Sequence, residues 1–181
     1  MSDVVRDKNG LTEEEYLKNY NPDKWKKPSL TADICIITND INNRKLLLIR
    51  RGNHPDLGKW ALPGGFAQAG ESIEETASRE LEEETSIKMA ASDLRLVGVF
   101  SKPGRDPRDW TVSCAFLAEV DENKVKPIAG DDAAATGWYK IEETDEGVQL
   151  TCGDITINSK ELAFDHVDIL RDALNLIRGR E

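Results

Sequence analysis

The sequence predicts an α+β fold in which helices layer on a sheet. Three observations carry that prediction. Runs rich in β-branched and apolar residues occur at 32–38, 45–51, 94–101 and 110–120. A helical apolar period begins at Ser72 between the second and third runs, and a second amphipathic helix closes the chain. Strands, helix, strands, helix is the order expected of α+β layers.

In chain order, the first thirty residues are polar and carry their own helix. Thr12 and Glu15 are placed for a capping box on TEEEYLKNY, and Asn21-Pro22 stops it. Residues 1–30 are therefore an appended helix and arm, either packed on the domain or reaching to a second copy. ADICIIT (32–38) and KLLLIRR (45–51) read as two strands of a hairpin across NDINN. Asn53–Lys59 is a loop in which His54 is a turn residue, and Trp60-Ala61-Leu62 is a short strand. Ser72 and Glu75 then form a second capping box, and Ile73, Ala77 and Leu81 make the helix's apolar stripe. LRLVGVFS (94–101) and WTVSCAFLAEV (110–120) are strands, the latter alternating Trp110, Val112, Cys114, Phe116 and Ala118 onto one face. Asp121–Asp132 is a polar loop, Trp138-Tyr139 marks a strand, and 148–157 is a hairpin turning at Gly153-Asp154. The last helix runs from Ser159 to Arg178 with Ala163, Val167, Leu170, Leu174 and Ile177 inward, and Gly179 stops it. His166 on it is a structural residue.

The 181 residues suit one domain with a full core, 31–181, following the arm. No apolar run approaches the 18 or so residues of a membrane span. MSDVVRDKNG lacks a signal peptide's layout, and Cys35, Cys114 and Cys152 are few and unclustered. A reduced, cytoplasmic protein with cysteines as small core residues is expected. A net charge of −10 and a pI near 4.8 argue against nucleic-acid binding, which needs a basic footprint. An acidic chain acting on an anionic substrate would need cations to bridge the two.

Chemistry concentrates in GGFAQAGESIEETASRELEEETSI, residues 64–87. At about 100° per residue, Glu80, Glu83 and Glu84 fall within about 100° of arc on one helix side. Like charges so spaced repel by a few tenths of a kcal/mol per pair, a penalty that a hard divalent cation reverses. A solvated acidic face has the same spacing, but Pro63, Gly64 and Gly65 lead into it and can bring backbone close to a ligand. Arg79 stands where it can hold Glu71 or a helix carboxylate. Gly65, Glu71, Arg79, Glu80, Leu81, Glu83, Glu84 and Ile87 together resemble the Nudix box, G-x5-E-x7-R-E-U-x-E-E-x-G-U, U being a bulky apolar residue. Ser86 departs, standing where the pattern has glycine.

The resemblance implies an α/β/α sandwich with a mixed central sheet and hydrolysis of a nucleoside diphosphate derivative with Mg²⁺ or Mn²⁺. It implies Glu80, Glu83, Glu84 and the Gly65 carbonyl as metal ligands, with Glu83, Glu84 and Arg79 in catalysis and Glu71 orienting Arg79. The general base is a box glutamate or a loop acid, Asp131 or Asp132. Pro103, sixteen residues past Ile87, together with KWALPGGF, SKPGRDPR, AGDDA and LAFDH, is similar to the ADP-ribose diphosphatase branch. Gly64, Arg50, Arg51, Pro103 and Arg105 are then expected at the substrate, with Arg108 at phosphate or ribose and Trp110 or Phe66 stacking on adenine or packing in the core. A homodimer is expected. The alternatives are a Nudix hydrolase of a dinucleotide polyphosphate, nucleotide sugar or oxidised nucleotide, and a non-catalytic ADP-ribose sensor.

Overall fold

A computed structural model of the chain describes residues 5–128, 133–145 and 147–179. Its centre is β1 (Ser29–Thr38), which pairs in parallel with β6 (Thr111–Val120) along its whole length, Ser29 opposite Thr111 and Thr38 opposite Val120. That long-range ladder is why the strand starts at Ser29, three residues before the β-branched run. On its other edge β1 runs antiparallel to β2 (Lys45–Arg51), as the hairpin reading expected. With β5 (Arg95–Phe100), β7 (Ala133–Thr144), β8 (Gly147–Cys152) and β9 (Ile155–Asn158), the strand order is β5-β6-β1-β2-β7-β8-β9. Two short strands complete the sheet: β3 (Trp60–Ala61) pairs with β2, and β4 (Gly64–Phe66) pairs with β1.

Residues 31–38 of β1 are all buried, because helices cover both faces of the sheet. Toward one side Ala32, Ile34, Ile36 and Phe116 cluster with Ala77 and Leu81 of α2 (Ile73–Thr85). Toward the other, Cys35, Ile37, Leu48 and Leu117 cluster with Ile169, Leu170 and Leu174 of α3 (His166–Arg178). Alternation along a strand thus feeds two cores, and β6 is buried on both faces, Ala115 and Leu117 as well as the expected Phe116 and Ala118. The sheet is mixed and the architecture is the α/β/α sandwich.

Three expectations change. The closing helix does not begin at Ser159: Ser159–Glu161 is a 3-10 turn, and α3 begins at His166. Between them the Ala163 N–H donates to the Trp60 carbonyl at 2.9 Å and the Phe164 N–H to Asp56 Oδ2 at 3.1 Å, so these amides serve β3 and its loop rather than a helix. Val167 is consequently only half-buried, while Ile169 and Ala173 fill the core. The N-terminal helix α1 (Glu13–Asn19) forms with its Thr12 capping box but buries no residue, so it is not packed into the domain. The cysteines are unpaired, but only Cys35 is fully buried, and Cys152 is exposed.

Candidate active site

The capping box at Ser72 starts α2 beside β4, and this local placement sets the site. Because β4 pairs with β1 through Gly64–Asp33 and Gly65–Ala32, the glycine loop lies flat against the sheet with α2 across it. Arg79 then reaches five acceptor atoms on four residues. Its Nε and Nη2 donate to the two Glu71 oxygens at 3.1 and 2.8 Å, and Nη1 donates to Glu80 Oε1 at 2.6 Å and Glu83 Oε2 at 2.9 Å. Nη2 also donates to the Phe66 carbonyl at 3.0 Å. Glu84 instead accepts the Gly64 N–H at 2.8 Å.

The electrostatics follow from these partners. Bonds from Arg79, reinforced by the Gln68 N–H, hold the Glu71 carboxyl at about 2. Burial pushes Glu80 up, with Arg79 opposing it. Hydrogen bonding to Glu71 raises Arg79 further, so it remains a cation. In this arrangement the carboxylates are satisfied by Arg79 and a backbone N–H, and no three His, Cys, Asp or Glu among the described residues converge as a metal-binding group. The donor set still suits a hard cation: three carboxylates lie on one helix side, and Gly65 leaves Glu80 room against bare backbone.

These residues open on a cavity of about 540 Å³. It is also lined by Arg51, Arg105, Arg108, Phe66 and Phe164. Gly64, Gly65, Arg79, Glu80, Glu83 and Glu84 all border it. Arg51 and Arg50 are consecutive on β2 and leave it on opposite faces, so Arg51 reaches the cavity while Arg50 stays exposed, its Nε on the Gly58 carbonyl at 3.1 Å. Pro103 is exposed and lines a different hollow with Trp110, because the 102–108 loop turns Arg105 and Asp106 inward instead. Asp131 and Asp132 lie outside the described residues.

Arg105 is not presented as an open phosphate ligand. Its side chain is 4% exposed, and it donates to Asp165 at 2.6 and 2.9 Å and to Asp33 at 3.3 Å. Asp33 also accepts the Ser113 hydroxyl at 2.5 Å, and His166 Nε2 stands 3.7 Å from it. His166 Nδ1 accepts the Leu62 N–H at 2.9 Å, a structural role at the approach to the glycine loop. Asp33 was missed in the sequence. Its signal was a lone acid inside ADICIIT, since a carboxylate in a two-sided buried strand needs partners. Phe164 stood inside LAFDH but was given no role of its own, since nothing in that stretch sets it apart from a core aromatic. Thr31 Oγ1 is buried on the cavity wall with no partner among the described residues.

Comparison with known proteins bears on the family and the fold. The model of the NUDIX domain matches residues 28–153. An ADP-ribose pyrophosphatase of Methanocaldococcus jannaschii is 36% identical over 137 residues, 76% of this chain and 70% of that protein. A MutT/nudix family protein from Enterococcus faecalis superposes with a TM-score of 0.81 at 35% identity, covering 91% of this chain and 67% of that one. The NUDIX domain of Shewanella oneidensis NrtR, solved in complex with ADP ribose, gives 0.73 at 30% identity over 92% of this chain and 99% of that one. The match of the domain model, over more than two thirds of the chain, places this protein in the Nudix family.

Proposed function

We propose that this protein is a metal-dependent diphosphatase that hydrolyses ADP-ribose, with one water, to AMP and ribose 5-phosphate. The observation that carries the reading is one cavity bordered both by the Arg79-linked carboxylates and by the Arg51 and Arg108 guanidiniums. Oxygen ligands for a cation and nitrogen donors for phosphate are what a diphosphate requires. The M. jannaschii relative's activity and the ADP ribose bound by the NrtR domain favour ADP-ribose over other nucleoside diphosphate derivatives.

Glu80, Glu83 and Glu84, with the Gly65 carbonyl, would hold a divalent cation, Mg²⁺ or Mn²⁺. Such an ion supplies Lewis acidity at the diphosphate and acidifies bound water. The chain's own residues do the positioning. Glu71 locks Arg79, and Arg79 aims Glu80 and Glu83 while balancing their charge. The Gly64 N–H orients Glu84. The base is a box glutamate, Glu83 or Glu84, or one of Asp131 and Asp132. Residues 31–181 form the catalytic domain, and the arm of residues 1–30 joins two copies into a homodimer in the cytoplasm. Nucleic acid and membrane are not partners on this reading; no helix among the described residues is long and apolar enough to cross a membrane.

The test is turnover of ADP-ribose, a diadenosine polyphosphate, a nucleotide sugar and an oxidised nucleoside triphosphate, with Mg²⁺, with Mn²⁺ and with chelator. AMP released from ADP-ribose only with metal, and lost by 100-fold or more in Glu83→Gln, is the expected result. Preference for another substrate would replace ADP-ribose. Saturable ADP-ribose binding without turnover would make the protein a sensor.

A further inference from the structure

Three non-glycine residues among those described have a left-handed backbone: Asp56, Ser86 and Phe164, the last at φ +52°. Aspartate accepts that region through its short polar side chain, whereas a bulky aromatic is an outlier there. Phe164 is held in place from outside its own segment, by its N–H on Asp56 Oδ2 and by the neighbouring Ala163 N–H on the Trp60 carbonyl. The consequence is where the ring goes. It lines the cavity, with Arg51 Cζ 4.7 Å and Arg108 Cζ 5.7 Å from its centroid, and Arg108 is also 4.9 Å from the Phe66 ring.

Two like charges are thus brought to one ring. Burial lowers the Arg51 pKa, and Arg108 lowers it further, while Asp56 and Glu84 pull the other way. Arg108 commits Nε and Nη2 to Asp106 at 3.0 and 2.6 Å, and Arg51 commits Nε to the Pro55 carbonyl at 2.8 Å. With each guanidinium carbon within about 6 Å of a phenyl centroid and these nitrogens committed, the remaining guanidinium nitrogens face the cavity for a ligand. A multiply charged anion taking both would relieve their repulsion and match their fork geometry.

We propose that Phe164 is a positioning residue whose ring, set in the cavity by a left-handed backbone, holds Arg51 and Arg108 as a paired-guanidinium clamp for the substrate's diphosphate. The identity of the substrate rests on the diphosphatase reading above; the clamp does not. A left-handed backbone is tolerated more readily by asparagine than by phenylalanine, so Phe164→Asn removes the ring while keeping the turn, and Phe164→Tyr keeps both.

The experiment is calorimetric titration of inorganic pyrophosphate, in chelator, into the full-length wild type, Phe164→Asn, Phe164→Tyr and Arg51→Gln. The expected result is a Kd weakened ten-fold or more in Phe164→Asn and in Arg51→Gln, and restored within three-fold in Phe164→Tyr, with the melting temperature of Phe164→Asn not lowered. In turnover of ADP-ribose with metal, the Phe164→Asn loss falls on KM rather than kcat. Pyrophosphate binding that is absent in the wild type, or equally tight in Phe164→Asn, overturns the clamp. Should Phe164→Asn not fold, an undiminished Kd in Arg51→Gln overturns it as well. Clamp behaviour in a wild type that does not hydrolyse ADP-ribose would sink the diphosphatase reading alone, and hydrolysis with an indifferent Phe164→Asn would sink the clamp alone.

Discussion

The carboxylate of Glu80 occupies the space that a side chain on residue 65 would need: an ideal Cβ built on Gly65 lies 2.4 Å from Glu80 Cδ and Oε1. Gly65 does not have a left-handed φ, so the position demands glycine for room rather than for backbone freedom. Gly65→Ala must therefore push Glu80 off Arg79 Nη1. The clash is with the end of a flexible side chain, so it is relieved by swinging the carboxylate away and the loss falls on the site rather than on the fold; a catalytic group misplaced by about 1 Å costs about 100-fold in rate. Steady-state kinetics should show kcat down by about that factor in a protein that still melts cooperatively. An unchanged kcat would mean that Glu80 need not stand there.

Ser86 ends α2 in the left-handed region, at φ 61° and ψ 11°, with its N–H on the Glu82 carbonyl at 2.8 Å. The helix end is thus built as a glycine would build it, and serine bears the steric cost, about 1 kcal/mol. Ser86→Gly should raise the melting temperature by about 2–4 °C at this chain length, and kcat should stay as it is because the exposed side chain touches none of the site. A lower melting temperature would show that the serine makes a compensating contact.

His166 gives the fold a pH dependence whose direction can be stated. Burial lowers its pKa, with Asp33 and Asp165 pulling the other way, so it is neutral in the folded chain while the unfolded value is about 6.5. The unfolded state therefore binds more protons below that pH, and the contribution to stability, complete above about pH 6.5, is lost as pH falls toward the folded value. His166→Asn keeps an oxygen for the Leu62 N–H but cannot titrate. Urea midpoints between pH 8 and 5.5 should decline in the wild type and flatten in His166→Asn. Parallel slopes would assign the pH dependence to other groups.

Much of this was legible because it is local. Both capping boxes, the helix α2 that carries the glutamates, the β1–β2 hairpin and the 147–158 hairpin depend on residues a few positions apart, and each formed as spaced. The Glu71–Arg79 contact, at eight residues' separation, was within reach of the same reasoning.

The errors arose where distant segments compete for the same backbone. The break before α3 could not be seen, because the amides of Ala163 and Phe164 are claimed by Trp60 and Asp56, a hundred residues away. Arg105 looked like a free cation in a polar loop, but folding lays it between Asp33 and Asp165. Neighbouring Arg50 and Arg51 were indistinguishable as letters and were separated only by the pleat.

By itself, then, the sequence determined the layered α+β class, the family-like carboxylate helix and its caps, since helix period and capping act over three to eight residues. Tertiary structure decided which charges are spent on one another and which remain for a ligand. That outcome depends on which strands and loops meet, and a guanidinium has the same chemistry in either place until burial and a facing carboxylate settle its role.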